Sequence, residues 1–315
     1  MKNTLILVVP CYNEEEVLPE TTEVLTALLS QMAGQSLISE DSRILYVNDG
    51  SSDHTWDLIC QYHDENPYVC GVNLAGNVGH QNALMAGLET ARDMGDMMIS
   101  IDADLQHDIS IIPQMIQKYH EGYDIIYGVR KEGKSESWFK RITSQGFYSL
   151  MTWMGVKLVK NHPDFRLMSK RAVAHLCKYR ERNLFLRGLV PQLGYQTTCI
   201  AYDQQARKAG TSKYPLKKMI GLAIDGITSF SVKPVRALVY LGAFFLLIAL
   251  GILIYVLCVF FSGKAVSGWS SLMLSIWFVG GCLLVGLGIV GEYIGKIYIE
   301  VKDRPRYNIE ETKLK

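Results

Sequence analysis

Two carboxylates separated by one residue are the first feature of this sequence that could do chemistry. Asp102 and Asp104 follow an apolar run at 98–101, which predicts that a buried strand releases them into a loop. Such a pair can face one divalent cation and the phosphates that the cation bridges, because Mg²⁺ and Mn²⁺ prefer oxygen ligands. Gln106 adds a neutral oxygen two residues later. The same pattern is also common at ordinary polar strand ends, so its weight depends on its place in the fold.

Basic residues that could bind phosphate lie elsewhere in the chain. Neither GxGxxG nor GxxxxGK[ST] occurs, which disfavours a dinucleotide site and a P-loop. Arg207 and Lys213 belong to a segment, 207–214, that could clamp a pyrophosphate, since Arg makes forked contacts and Lys acts as a point charge. Its alternative role is a juxtamembrane patch that binds anionic lipid. Arg130 and Arg166 are two further candidates.

Strand and helix patterns alternate along the first half of the chain, which is typical of an α/β fold with a mostly parallel sheet. Ligands of such sheets bind outside the carboxyl ends of the strands. The unusual polar residues collect at those predicted ends, at 13–14, 49, 77–80, 102–107 and 130. We predict strands at 5–9, 44–47, 69–73, 97–101 and 125–127, and helices at about 15–32, 55–63, 80–92 and 111–119.

Two long uncharged runs follow, at 237–262 and 265–291. Each is long enough to cross a bilayer, which needs roughly 20 apolar residues; a pair of buried core helices is the alternative. Lys and Arg residues flank the pair, whereas the loop between the runs carries only Lys264. The positive-inside rule therefore predicts a C-terminal two-helix transmembrane hairpin, with the α/β domain and both termini in the cytoplasm.

Basic amphipathic segments precede the hairpin, at 137–159 and 216–232. Both suit a membrane interface, although the first could equally be a core helix of the α/β domain. We therefore divide the chain into an α/β core at 1–136, amphipathic and juxtamembrane segments at 137–236, two transmembrane helices at 237–291 and a cytoplasmic tail at 292–315.

The composition excludes several classes of protein. The chain has 315 residues, of which 49% are hydrophobic and 20% charged, with a net charge of +1. These values exclude a disordered or collagen-like protein and make nucleic acid a poor partner. The seven cysteines include no CxxC pair, which indicates reduced thiols rather than a disulfide framework or a zinc site.

Several motifs in the same order carry a resemblance to a known family. VPCYNEE at 9–15, NDGSSD at 48–53 and DADLQ at 102–106 are similar to family-two glycosyltransferases with a GT-A (Rossmann-like) fold. Within that family the chain resembles the dolichol-phosphate-mannose-synthase-like branch, and most closely the bacterial polyprenyl-phosphate (bactoprenol) glucosyltransferases. Further matches lie at 164–168, 181–188, 207–214, 225–230 and 291–307, so the resemblance covers essentially the whole chain.

The resemblance implies roles for individual residues. The nucleoside of a UDP-sugar donor would lie among Pro10, Tyr12, Glu14 and Asp49, with Asp102 and Ala103 also bordering the donor. Mg²⁺ or Mn²⁺ would be held by Asp102, Asp104 and Gln106, with Asp104 as the principal ligand. Arg207 and Lys213 would close over the donor pyrophosphate. The acceptor phosphate would be received by Arg130 and Arg166, beside Asp164, which is either a base or an orienter of Arg166.

The implied reaction is inverting transfer of a sugar, with glucose expected, from the UDP donor to undecaprenyl (polyprenyl) phosphate on the cytoplasmic leaflet. The product would be a lipid-linked sugar for modification of a cell-surface glycan. A lipid phosphate is largely dianionic at neutral pH and needs little help from a general base, which favours Asp164 as an orienter.

The resemblance also implies a multi-pass protein of the bacterial plasma (inner) membrane. We expect a homo-oligomer, with a tetramer as one arrangement. UDP-N-acetylglucosamine, UDP-galactose and GDP-mannose remain alternative donors. A non-catalytic membrane scaffold is a further alternative, whereas a processive polysaccharide synthase is disfavoured because a QxxRW-type motif is absent from the sequence.

Overall fold

The structure is a computed structural model that describes residues 2–131, 164–182, 184–203, 233–261 and 268–315. The predicted segments at 137–159 and 216–232, together with Arg207 and Lys213, lie outside these described residues. The elements of the first range are β1 (Leu5–Cys11), α1 (Leu18–Gly34), β2 (Arg43–Asn48), α2 (Thr55–Glu65), β3 (Val69–Leu74), α3 (His80–Ala91), β4 (Met97–Ser100), α4 (Ile112–His120) and β5 (Ile125–Arg130). The later elements are β6 (Arg166–Ser169), α5 (Lys170–Leu176), α6 (Leu186–Leu189), β7 (Thr197–Tyr202), α7 (Lys233–Phe261), α8 (Trp269–Val301) and β8 (Ile309–Lys313).

These strands form one mixed sheet in the order β7-β5-β6-β4-β1-β2-β3-β8. The central strands β4, β1, β2 and β3 are parallel to one another, and β5 is parallel to β7. Strand β6 runs antiparallel between β4 and β5, and β8 runs antiparallel beside β3. The predicted α/β fold with a mostly parallel sheet is therefore confirmed.

The central strand β1 shows why the sheet is covered on both faces. All seven of its residues are buried, as expected of a parallel strand with helices on either side. Leu7 packs in the cluster that contains Leu25 of α1, whereas its neighbour Val8 packs in the cluster that contains Leu84 of α3. Helix α3 approaches so closely that a Cβ on Gly87 would lie 2.4 Å from Val8 Cγ1.

Helices α7 and α8 lie side by side and antiparallel. The rings of Phe245 and Phe278 are 5.6 Å apart, and Leu238, near the start of α7, approaches Gly286. Within the described part of the chain, one segment of α8, Phe278–Val301, is long and apolar enough to cross a membrane, with a mean hydropathy of 1.7 and no buried residues. Exposed apolar surface of this extent indicates contact with a membrane or with another protein.

The C-terminal residues return to the α/β domain. The sequence predicts a tail at 292–315, whereas in the structure α8 continues to Val301 and Ile309–Lys313 form the edge strand β8. Strands β6 and β7 are also additions that no predicted strand covers. We refer to residues 302–315 as the return segment.

We expect Gly87→Ala to lower the free energy of unfolding by about 1–3 kcal/mol, because the new methyl group overpacks the contact between α3 and β1. Denaturation of the detergent-solubilised protein measures this loss. Gly34→Ala is the control, because a Cβ at Gly34 meets no atom within 4 Å among the described residues. Equal stability of the two variants would contradict the close packing of α3.

Candidate active site

The candidate residues that the structure describes lie along one edge of the sheet. Strands β1, β2 and β4 are parallel, so their carboxyl ends at Cys11, Asn48 and Ser100 lie on the same side. Strand β6 is antiparallel to β4, and its first residue, Arg166, pairs with Ser100. The reversal of β6 therefore brings Arg166 to the edge at which the parallel strands end.

The loops after β1 and β2 are locked together by hydrogen bonds. The backbone N–H of Ser52 donates to Oδ1 of Asn13 at 2.8 Å, and the N–H of Asn13 donates to Oγ of Ser51 at 3.0 Å. Asn13 has a φ of 54°, a left-handed conformation that Asn tolerates better than most residues. Pro10 is buried beneath these loops, whereas Tyr12 is half exposed above them. The two loops thus form a fixed surface with one exposed aromatic ring.

Asp49 holds a third loop, 75–79, against the first two. Its carboxylate oxygens accept from the backbone N–H groups of Val78 at 2.7 Å and Gly79 at 3.0 Å. Burial raises the pKa of Asp49, and these two hydrogen bonds oppose that rise. Gly50 permits the close approach, because it has a φ of +62° and a Cβ there would lie 2.5 Å from Asn77 N. In this structure Asp49 therefore organises the loops, and acceptance from a nucleobase would use its remaining lone pairs.

The carboxylate motif after β4 is held in an unusual backbone conformation. Leu105 has a φ of +50°, which is uncommon for a residue other than glycine and is typical of functional sites. Asp104 Oδ1 accepts from the N–H of Gln106 at 3.1 Å, which closes the turn around Leu105. From the other side, Thr21 Oγ1 donates to the carbonyl of Ala103 at 2.7 Å. The motif is therefore anchored to both its own loop and helix α1.

The donor set of this motif fits a hard divalent cation. Within the described residues, no group of three or more His, Cys, Asp or Glu side chains forms a metal site by itself. Asp102, Asp104 and Gln106 instead supply two carboxylates and an amide oxygen, and Mg²⁺ sites of this type are completed by water and substrate phosphates. His80 Nε2 lies 3.6 Å from Asp102 Oδ1, and His107 Nε2 lies 3.6 Å from Asp102 Oδ2. His80 is placed to orient the Asp102 carboxylate, whereas the buried Nε2 of His107 makes no hydrogen bond within the described residues.

Asp164 is the centre of a positively charged network beside this motif. Its Oδ1 lies 3.2 Å from Arg166 Nη2, and its Oδ2 lies 3.2 Å from Arg187 Nη2 and 3.7 Å from His80 Nε2. Burial acts to raise the pKa of Asp164, but the hydrogen bond to His80 and the charges of Arg187 and Arg166 hold it well below its usual value. Such a carboxylate stays ionised and is a weak base, so the geometry favours an orienting role.

Arg166 is a fully buried guanidinium that Asp164 satisfies only in part. Nη2 is bonded to Asp164, whereas Nε and Nη1 are buried without a hydrogen-bond partner among the described residues. Nε of Arg130, at the end of β5, is likewise buried without a hydrogen-bond partner among the described residues. Unsatisfied buried donors are costly, and those of charged groups most of all. An anion bound at this edge of the sheet would remove that cost.

His107 packs behind the carboxylate motif. Its ring stacks on Phe165 with centroids 5.0 Å apart and meets the edge of Tyr202 at 6.1 Å. Burial lowers the pKa of His107, so the imidazole is neutral near pH 7. The sequence predicts only that histidines near strand ends line the loops, and the structure adds this aromatic cluster.

Two further residues of the site were not assigned a role from the sequence. Arg187 comes from α6, far along the chain from Asp164, and only the matching stretch at 181–188 points to it. His80 follows Gly79 at the start of α3 and spans the gap between Asp102 and Asp164. Its position after a predicted strand end was the available signal.

Comparison with known proteins identifies the family of this chain. The sequence profile of Glycosyl transferase family 2 matches residues 6–177. The chain is 52% identical over 308 residues to the uncharacterized glycosyltransferase YkoT of Bacillus subtilis, covering 97% of this chain and 91% of YkoT. It is 39% identical over 309 residues to the SfII prophage-derived bactoprenol glucosyl transferase of Shigella flexneri, covering 97% of each chain.

Among solved structures, glucosyl-3-phosphoglycerate synthase from Mycobacterium tuberculosis aligns with a TM-score of 0.46 and 17% identity, over 72% of this chain and 79% of that chain. The family is established by the sequence matches. The chain belongs to glycosyl transferase family 2 and is a glycosyltransferase with a GT-A-like α/β domain.

We expect Asp164→Asn to destabilise the protein by about 3–5 kcal/mol near neutral pH, because it leaves the buried charge of Arg166 uncompensated. The folded-state pKa of Asp164 is depressed, so its contribution is present above the unfolded-state pKa of about 4. That contribution is lost as the pH falls through the folded-state value. Urea unfolding at a series of pH values should therefore show the two proteins converging below about pH 4.

Asp93→Asn is the control for this prediction. Asp93 pairs with Arg92 at 3.0 Å but is 72% exposed, so its removal should change the stability little. A loss for Asp164→Asn no larger than that of Asp93→Asn would show that the network does not stabilise the fold.

Proposed function

We propose that this glycosyltransferase transfers a sugar, with glucose expected, from a UDP-sugar to polyprenyl phosphate on the cytoplasmic leaflet of the membrane. The observation that carries the proposal is that the acidic motif and the cationic network around Asp164 adjoin at one edge of the sheet, with His80 between them. The acidic motif at Asp102 and Asp104 suits a cation with a diphosphate. The adjacent network around Asp164 offers buried guanidinium donors, which suit a second phosphate.

The donor would lie over the three interlocked loops. Pro10, Tyr12, Glu14 and Asp49 would border the nucleoside, and the half-exposed ring of Tyr12 offers a stacking surface. Ala103 would approach the donor through its backbone. Arg207 and Lys213 would close over the pyrophosphate of the donor. Their place in the proposal rests on the sequence alone.

Arg166 and Arg130 would receive the acceptor phosphate. Two guanidinium groups can neutralise a dianion with forked hydrogen bonds. A phosphate that is already largely dianionic has no proton that must be removed before attack. The protein's task is then to align the acceptor oxygen with the anomeric carbon and to stabilise the leaving diphosphate. Direct displacement of this kind inverts the configuration of the sugar.

Asp102, Asp104 and Gln106 would hold Mg²⁺ or Mn²⁺. When bound, such a cation supplies charge stabilisation to the leaving diphosphate. The imidazole of His80 would help to keep the Asp102 carboxylate oriented toward it.

The acceptor chemistry requires a membrane, and we propose that α7 and α8 form a transmembrane hairpin. The exposed apolar surface of α8, the antiparallel packing of α7 on it and the charge distribution of the sequence support this placement. The α/β domain and both termini would lie in the cytoplasm of a bacterium, with the segments at 137–159 and 216–232 at the membrane surface. A homo-oligomer, such as a tetramer, is part of the same proposal.

A donor screen tests the proposed function directly. Purified protein is incubated with polyprenyl phosphate and, in turn, UDP-glucose, UDP-N-acetylglucosamine, UDP-galactose or GDP-mannose, and the lipid product is identified by mass. We expect a polyprenyl-monophosphate-linked hexose from UDP-glucose. Transfer from another donor alone would show that the transferred sugar is not glucose. Absence of transfer from all four would favour a non-catalytic scaffold.

We expect Asp104→Ala to reduce transfer by roughly a hundredfold or more, because loss of cation-assisted charge stabilisation raises the barrier by several kcal/mol. Chelation of divalent cations should have a similar effect on the unsubstituted protein. Asp108→Ala is the control, since Asp108 only caps the following turn by accepting from Ser110 N at 3.0 Å. Full activity of Asp104→Ala, or of the unsubstituted protein in chelator, would contradict the cation site.

Arg166→Lys should remain clearly defective in lipid transfer while donor binding is spared, because lysine keeps the charge but not the forked geometry. Acceptor titration at saturating donor, UDP affinity and the melting temperature separate the effects. Arg171→Lys is the matched control, since Arg171 pairs with Asp124, which precedes β5 at the opposite edge of the sheet. Early melting with both substrates affected alike would mean that Arg166 only holds the fold together.

A further inference from the structure

The return segment follows β3 toward the proposed donor loops. Strand β8 pairs with β3, and beyond the pairing the carbonyl of Asn308 accepts from the N–H of Ala75 at 3.0 Å. At the opposite end of β3, Lys315 Nζ donates to the carbonyl of Asn66 at 2.9 Å. Ala75 begins the loop 75–79 that Asp49 holds, so the return segment contacts the base of that loop.

A β-bulge in this pairing changes the direction of one side chain. Asn73 pairs with Glu311 and Leu74 with Ile309, which leaves Glu310 as the extra residue of β8. Bulges are common beside active sites, where they redirect a side chain away from the regular alternation. Here Glu310 Oε2 accepts from Asn73 Nδ2 at 3.1 Å.

The hydrogen bond from Asn73 to Glu310 is the first in a series of four. Asn73 Oδ1 accepts from Asn48 Nδ2 at 2.7 Å, and Asn48 Oδ1 accepts from Ser51 N at 3.3 Å. Ser51 Oγ in turn accepts from the N–H of Asn13. The series therefore runs from the C-terminal strand, through two amide side chains, to both of the loops that would hold the nucleoside.

The series begins at an exposed hydrogen bond, that of Glu310 with Asn73, and leads to the buried amide of Asn48. Asn48 is 2% exposed, and buried amide groups need their hydrogen-bond partners. The bond to Glu310 orients the Asn73 amide so that its oxygen, rather than its nitrogen, faces Asn48 Nδ2. Without the Glu310 carboxylate, the Asn73 amide keeps only one of the two contacts that select this orientation, the bond from Asn48, so the acceptor of Asn48 is held less firmly.

We propose that Glu310 is a positioning residue for the donor site, acting through Asn73 and Asn48 on the loop at 48–55. This inference rests on the proposed function, because it assigns the loop to the nucleotide of the donor. Glu310 does not touch the donor, so its effect falls on donor affinity rather than on acceptor binding. Since the return segment begins directly after α8, the same contacts connect the second proposed membrane helix to the donor loops.

Three variants of the full-length protein in detergent test the proposal. Glu310→Ala removes the acceptor, Glu310→Gln restores an oxygen acceptor without the charge, and Glu311→Ala removes an adjacent charge that pairs with Lys313 at 2.9 Å. Calorimetric titration with UDP in the presence of Mn²⁺ measures donor-site affinity. The KM for polyprenyl phosphate at saturating donor and the melting temperature are measured in parallel.

We expect Glu310→Ala to weaken UDP binding by about three- to tenfold, the range that corresponds to one hydrogen bond. Glu310→Gln and Glu311→Ala should bind UDP like the unsubstituted protein, and all three variants should keep its melting temperature and its KM for the acceptor. Unchanged UDP binding by Glu310→Ala would overturn the proposal. A parallel loss of melting temperature, donor affinity and acceptor use would also overturn it, because Glu310 would then serve only the edge of the sheet.

UDP binding distinguishes failure of the proposed function from failure of the role assigned to Glu310. If the unsubstituted protein binds no UDP, the proposed function is wrong and the assignment of Glu310 fails with it. If the unsubstituted protein and Glu310→Ala bind UDP equally well, the proposed function stands and only the role of Glu310 is wrong.

Discussion

The buried guanidinium of Arg166 is the constraint on which the rest of the site depends. A charged group inside a protein is tolerated when it is paired and hydrogen-bonded, and removal of its partner is strongly destabilising. Asp164 supplies one partner and leaves Nε and Nη1 unsatisfied within the described residues. The fold thus places a buried positive charge at the carboxyl edge of the sheet, where a bound anion would satisfy the donors that the described residues leave unpartnered.

Two features of the fold bring this charge beside the acidic motif. Strand β6 reverses direction between β4 and β5, so Arg166 lies opposite Ser100, two residues before Asp102. His80, at the start of α3, lies within 4 Å of both Asp102 and Asp164. The acidic motif and the cationic network around Asp164 are therefore adjacent, and His80 lies between them. Under the proposed function, the acidic motif would bind a cation with a diphosphate, and the cationic network would bind the phosphate of the lipid acceptor.

Much of the α/β core could be predicted from the sequence, because the central strands are continuous apolar runs that end in polar motifs. Residues 5–9 and 44–47 predicted β1 and β2 closely, and the motifs at their ends do meet at one edge of the sheet. The later strands escaped prediction for physical reasons. Strand β6 has four residues and begins with a charged Arg166, and β8 is a charged, exposed edge strand whose stability comes from pairing with β3.

Only part of the cationic network around Asp164 could be predicted from the sequence. Pairing of Arg166 with Asp164 was one of the alternatives that the family resemblance left open, but Arg187 and His80 reach Asp164 from distant elements, and only the folded chain joins them. The role of the C-terminus illustrates the same limit. A short polar segment after an apolar helix predicts a tail, whereas a bulge at Glu310 makes it part of the sheet.

The measurement that tests the central claim most directly is a structure of the protein with a short-chain polyprenyl phosphate, UDP and Mn²⁺. We expect the lipid phosphate within hydrogen-bond distance of Arg166 Nε or Nη1, with Asp164 still paired to Nη2 and Mn²⁺ beside Asp102 and Asp104. A lipid phosphate bound away from Arg166, with those nitrogens still unpartnered, would contradict it.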